Sequence, residues 1–179
     1  MADKIDALVK EKKGFMADKI KLKRGDRIIK HGKAYRIVKA AKGLIVYKPY
    51  FKKKKDNGLV CSIPAKNIEG NYIRKSISNY RLNKLIKKIL YKKAKIKQVN
   101  VTKMKAVLGK NKIGKTLAIV KKLWLEQKDK SKKMTKSKKN VYKQARQRVI
   151  EEIALARDVS LQKARLVLNR ALRKGFENG

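Results

Sequence analysis

Between positions 21 and 74 the apolar residues fall in short runs separated by turn residues, and beyond Arg74 their spacing changes to that of a helix. Four runs stand out in the first part: Arg27 to Lys30, Lys33 to Ala40, Leu44 to Phe51 and Leu59 to Pro64. Tyr35, Ile37 and Val38, then Leu44, Ile45, Val46, Tyr47, Tyr50 and Phe51, are largely β-branched or aromatic and suit a pleated surface. Gly25-Asp26, His31-Gly32, Lys42-Gly43 and Asp56-Asn57-Gly58 supply the turns. The pattern predicts four or five short strands forming a small, strongly bent sheet or barrel.

In the second part, Leu82, Leu85, Ile86, Ile89 and Leu90 make one helical face after Ser78 as a cap, and Val101 to Leu108 makes a shorter helix. Leu117, Val120, Leu123 and Trp124 follow Gly114. Tyr142, Ala145, Val149, Ile153 and Ala156 form a further face. Leu161, Ala164, Leu168, Ala171 and Leu172 form the last, with Ser160 as cap and Gly175 as stop. The expected fold class is therefore α+β in two domains: an extension over 1–19, a β domain over 20–76 and an all-α domain of about five helices over 77–179. The pentapeptide Met1 to Ile5 recurs at Met16 to Ile20, as a short duplication, an alternative start or chance would each produce.

Charge narrows the function. The chain has 179 residues, 53 Lys and Arg against 13 Asp and Glu, and a formal net charge of +40. A potential of that size collects polyanions. A hydrophobic fraction of 42% is too high for a disordered polycation. Residues 91 to 143 hold 19 Lys and 2 acids (net +17), whereas 144 to 179 hold 8 basic and 4 acidic residues (net +4), so the field is concentrated. Compositional bias accounts for part of the total but not for this clustering. Of the basic residues 42 are Lys and 11 Arg, which favours phosphate contact over reading of base edges. The tetralysine Lys52 to Lys55 reads as a solvated hairpin tip ahead of a phosphate contact.

Candidate chemistry removes more than it adds. Cys61 is the single cysteine and His31 the single histidine, so neither a disulfide framework nor a metal cluster is expected within one chain. No apolar stretch reaches the roughly 20 residues of a membrane helix, and the N-terminus has no apolar signal core, so a cytoplasmic location without membrane contact is expected, at the nucleoid given the charge. Gly109 to Thr116 fits G-x-x-x-x-G-K-[ST], but Val101 to Leu108 ahead of it is helix-like and no later apolar run ends in Asp. A loop between two helices, bounded by Gly109 and Gly114, is the simpler reading. Trp124 lies on an apolar face and reads as core. Glu151 and Glu152 are adjacent, so they do not share a helix face as an acid/base pair would. No enzyme and no cofactor are expected. The lysines from Lys92 to Lys115 have few aromatic neighbours on which bases could stack, which favours duplex DNA over single-stranded RNA.

Several segments taken in order carry a resemblance. Arg24 to Ile29, Ile63-Pro64-Ala65-Lys66-Asn67 and Ile73 to Ser78 come first. Leu117 to Trp124, Ala145-Arg146-Gln147, Glu152 to Ala156 and the helix from Lys163 to Leu172 follow. Together they resemble the CarD/CdnL family of bacterial transcription regulators over about residues 20 to 174. The resemblance implies an N-terminal Tudor-like β domain that docks on the RNA polymerase β subunit by strand addition, here along Leu59 to Ile63. It assigns polymerase contact to Val60, Ser62, Ile63 and Pro64. It also implies a helical domain that touches double-stranded promoter DNA at the upstream edge of the bubble and stabilises the open complex. Lys97, Lys103, Lys105, Lys138 and Lys139 are the phosphate contacts expected by position, and a monomer is expected.

Two departures mark this chain. Ser62 stands where family members often carry an arginine, and Gln98 to Thr102 holds no aromatic where they commonly place a minor-groove Trp wedge. The chain would then lean on charge. The rival reading is a nucleoid- or ribosome-associated protein that coats nucleic acid without touching polymerase.

Overall fold

The computed structural model describes residues 22–41, 43–51, 58–68, 73–91, 100–129 and 133–177. The N-terminal pentapeptide repeat, the tetralysine and Lys97 lie outside the described residues. An antiparallel five-stranded sheet occupies the N-terminal part and five helices the C-terminal part, the α+β, two-domain layout expected.

The strands are β1 (Arg27–Lys30), β2 (Lys33–Ala41), β3 (Leu44–Pro49), β4 (Cys61–Pro64) and β5 (Arg74–Lys75), in the spatial order β4-β3-β2-β1-β5. His31 and Gly32 form the two-residue β1–β2 turn, with φ of 47° and 75°. Two successive positive φ values match the right-handed twist of the strands they join. A bulge sits between Ile37 and Lys39, where Ile37 pairs with Tyr47 and Lys39 with Val46. One extra residue on β2 bends the sheet there. Ile28, Ile37, Ile45, Tyr47 and Ile63 thereby converge with Ile68 and Ile73 on a small core. Ile29, next to Ile28 and so on the opposite face, is equally buried, against Ala34 and Leu155 of the helical part. β1 is thus covered on both sides.

Two strand ends differ from expectation. β3 stops at Pro49, and Tyr50 and Phe51, ring centroids 5.0 Å apart, turn onto the helices, where Phe51 packs against the helical core. β4 begins at Cys61, leaving Leu59 and Val60 exposed ahead of it.

The helices are α1 (Asn79–Leu90), α2 (Val101–Gly109), α3 (Ile113–Lys128), α4 (Lys136–Arg157) and α5 (Leu161–Glu177). Ser78 Oγ accepts from Arg81 N–H, Thr135 Oγ1 from Lys138 N–H and Ser160 Oγ from Lys163 N–H, each closing an orphan donor of a first turn. α4 ends at Asp158, in the left-handed region with φ 55°. It runs through the middle of the bundle, packing on α1, α2, α3 and α5. Leu82, Met104, Leu117, Leu123, Ile153 and Leu168 fill the core without solvent exposure above 1%.

Two glycines act differently from their sequence reading. Gly114 lies in the first turn of α3, so the loop after α2 is only Lys110 to Lys112, with Asn111 at φ 52°. Gly175 does not stop α5 but is buried inside it, at a crossing where an added Cβ would come within 2.0 Å of the Leu90 carbonyl oxygen. Gly109, by contrast, has open space around it.

The same substitution should therefore have opposite outcomes. Gly175→Ala is expected to cost about 3 kcal/mol, the upper end for overpacking because the obstacle is backbone. Gly109→Ala is expected to be neutral or stabilising by up to about 1 kcal/mol. Urea unfolding midpoints of the two variants check both.

Candidate nucleic-acid interface

The sheet is fastened to the helices by polar groups whose pairing no local pattern predicts. Glu151 and Glu152 are both buried on α4. Being adjacent, they leave the helix about 100° apart and reach different parts of the sheet. Glu151 Oε2 accepts from the Ala34 N–H at 3.1 Å. Glu152 accepts a two-pronged contact from Arg74, Nη1 to Oε1 at 2.7 Å and Nη2 to Oε2 at 2.5 Å, and also the Ile77 N–H at 3.3 Å. The Arg74 Nε–H goes to the Asn111 carbonyl at 2.8 Å, and Asn111 Nδ2 donates to the Ile29 carbonyl at 3.1 Å. Arg27 donates to the Leu155 carbonyl at 2.9 Å and pairs with Asp158. Gly32 admits the Arg148 side chain, since a Cβ there would meet its Cδ at 2.3 Å. Asp26, just ahead of β1, is pushed up by burial and pulled further down by Lys75 and the Lys23 N–H, so its carboxyl lies below the ordinary aspartate value. The two acids set aside as a catalytic pair are thus a structural clasp.

The lysines expected to touch nucleic acid separate into three groups. Lys103 and Lys105 are exposed on α2, on either side of the buried Met104. Asn100 orients that helix, its Oδ1 accepting from the Thr102 and Lys103 N–H groups at 2.8 and 3.3 Å. Lys139 is exposed on α4. Lys138 is committed elsewhere, its Nζ 2.5 Å from Glu126 of α3 in a mostly shielded ion pair. Lys121, buried on α3, is also withdrawn from the surface, donating to the Ile89 carbonyl at 3.1 Å. Burial lowers its pKa below the ordinary lysine value.

Sequence reasoning passed over Lys136 and Lys143. With Lys139 they recur at i, i+3 and i+7, all exposed, so they form one stripe along the first half of α4. The spacing was available, but no apolar pattern drew attention to it. Lys139 does not join Lys103 and Lys105. Arg148 reaches the Leu108 carbonyl at the end of α2, whereas Arg146, two residues earlier and so about 200° around α4, bonds Asn169 of α5. Lys139 and Lys143 fall in line with Arg146, which puts them on the α5 side.

Among the described residues β4 is an edge strand, bonded to β3 on one side only. The Ala65 N–H donates to the Gly43 carbonyl at 2.7 Å. Alternation along the strand then turns the Ile63 and Cys61 amides toward β3 and the Ser62 amide outward. Val60, Ser62 and Pro64 are exposed and Ile63 is in the core, so the residues assigned to polymerase contact sit together on the open edge.

The G-x-x-x-x-G-K-T segment follows a helix, not a strand, and Thr116 Oγ1 bonds the Lys112 carbonyl at 3.2 Å within α3. Lys110 to Gly114 instead wall an open cleft of about 820 Å³ with Ile73 to Ser78 and Arg81. Trp124 is half-buried, packed on the core and edge-to-face with Phe176 at 5.7 Å.

Residues 87–169 match the family model described as CarD, C-terminal domain. No curated protein matches the chain.

Removing Glu152 should leave the partly buried Arg74 guanidinium without its counter-charge and the Ile77 amide without its acceptor. Glu152→Ala is expected to cost about 3 kcal/mol, as for a broken buried pair. Asp158→Asn, which unpairs Arg27 at an exposed site while keeping a side chain that tolerates the left-handed region, is expected to cost under about 1 kcal/mol. Chemical denaturation of the two variants distinguishes them.

Proposed function

The chain belongs to the CarD/CdnL family, and from that premise we propose that it is a non-enzymatic transcription regulator that holds RNA polymerase and promoter DNA at once. In this reading a Tudor-like domain over residues 20–76 docks on the polymerase β subunit. A helical domain over 77–179 grips the duplex near the transcription bubble and stabilises the open complex. The observation that carries the reading is the combination of an open strand edge and exposed lysine faces on two parts joined by a polar clasp. An edge with outward amides is a template for an added strand. A rigid junction converts docking at that edge into a defined position for the lysines, which is what a regulator needs and a mere coating protein does not. With no aromatic between Gln98 and Thr102, DNA contact rests on charge. That favours binding with little dependence on base sequence.

Full-length protein should capture the polymerase β subunit at low salt. Ser62→Pro, which deletes an outward amide while leaving the amides that face β3, should reduce that capture at least tenfold. Failure of the unaltered chain to bind the subunit would favour the coating protein instead. DNA affinity should fall steeply with salt. Lys103→Ala should lower the magnitude of the log–log slope by about 1 and weaken all duplex sequences alike. Equilibrium titrations at several salt concentrations check this, and a loss confined to one sequence would contradict it.

A further inference from the structure

The chain's arginines divide by use. It is lysine-rich, yet Arg27, Arg74, Arg146, Arg148 and Arg157 each place a guanidinium on a carbonyl, carboxylate or amide oxygen. These are sites where a planar, multi-donor group outperforms a point charge. Arg165, Arg170 and Arg173 form the one cluster along α5, all exposed, and none makes a hydrogen bond or ion pair among the described residues.

At 100° per residue they occupy an arc of about 140° on α5. The buried Ala164, Leu168, Ala171, Leu172 and Gly175 occupy the opposite side. Arg170 and Arg173 wall a shallow groove of about 530 Å³ with Leu166, Asn169 and Lys174, in which Glu177 is the single acid. The groove lies beside the lysine stripe of α4, because Asn169 is the residue that Arg146 bonds at 2.8 Å and the two helices run antiparallel from their junction at 158–160. Lys139, Lys143 and the three arginines therefore border the same helix pair. The arginines from Arg170 onward lie beyond the matched stretch, which ends at residue 169.

We propose that the α4–α5 pair is a second duplex-contacting surface, separate from the one on α2, on which Arg165, Arg170 and Arg173 bind backbone phosphates through two-pronged contacts. This rests on the reading of the protein as a DNA binder. The occupant follows from charge and spacing. From Arg165 to Arg173 is about 12 Å along the helix at 1.5 Å per residue. A duplex presents one negative charge per about 1.7 Å of its axis, so several phosphates fall within that reach. A lipid surface is a poorer fit, because the main apolar face of α5 is enclosed in the core and the exposed Leu166 and Phe176 are too few to anchor the helix in a bilayer.

The test is the salt dependence of full-length protein binding to a duplex. Arg165→Ala/Arg170→Ala/Arg173→Ala should lower the magnitude of the log–log slope by about 3, at about 0.9 per phosphate. The melting temperature should stay near that of the unaltered protein, since these side chains hold nothing in the fold. Replacing the same three by Lys should restore the slope while leaving affinity several-fold below the unaltered protein, because charge returns without the fork. An unchanged slope in the Ala variant overturns the surface, as does a Lys variant no better than the Ala one. Lys103→Ala run alongside separates the two claims: if it lowers the slope and the arginine variant does not, DNA binding stands and the second surface falls. If neither has an effect, the reading as a DNA binder falls too.

Discussion

Two adjacent buried glutamates on α4 decide how this molecule is assembled. Among the described residues the sheet has a core of seven buried residues, and β1 and β2 bury a second face against the helices. Apolar contact of that extent does not specify orientation, because it is not directional. Direction comes from Glu152, which holds the Arg74 guanidinium and the Ile77 amide, and from Glu151, which holds the Ala34 amide. A buried carboxylate tolerates very few geometries, since any displacement leaves a charge without its donors. Asn111 extends the same constraint to the loop between α2 and α3.

That junction gives the charge a use. With +40 on the chain, attraction to polyanions needs no special arrangement. What needs arrangement is which lysines are left to act. Lys138 and Lys121 are withdrawn into contacts with Glu126 and the Ile89 carbonyl, while Lys103, Lys105, Lys136, Lys139 and Lys143 remain on helix surfaces. The open edge of β4 belongs to the other part of the molecule, so the clasp fixes the path from that edge to the helices that carry these lysines.

Most of the helices and strands were legible because they bury one face, and burial of one face imposes a period on the sequence. β1 and β2 begin where the apolar runs begin, and Ser78 and Ser160 cap the helices expected of them. Departures occur where a residue answers to a distant neighbour. Gly175 looked like a helix stop and is a close approach to Leu90. Phe51 looked like strand and packs on the helical core. Lys138 looked like a phosphate contact and has an ion-pair partner twelve residues earlier.

By itself the sequence determined the α+β order of elements, the main apolar faces of the helices and the excess of positive charge, all of which depend on local spacing or on counting. Only the tertiary structure decided that Glu151 and Glu152 are a clasp, that Lys139 keeps company with α5 and not with α2, and that Arg165, Arg170 and Arg173 stand apart from the arginines that hold the fold. Those properties depend on which helix lies beside which. Side chains two residues apart on α4 face opposite neighbours, and nothing in the linear order says which neighbours those are.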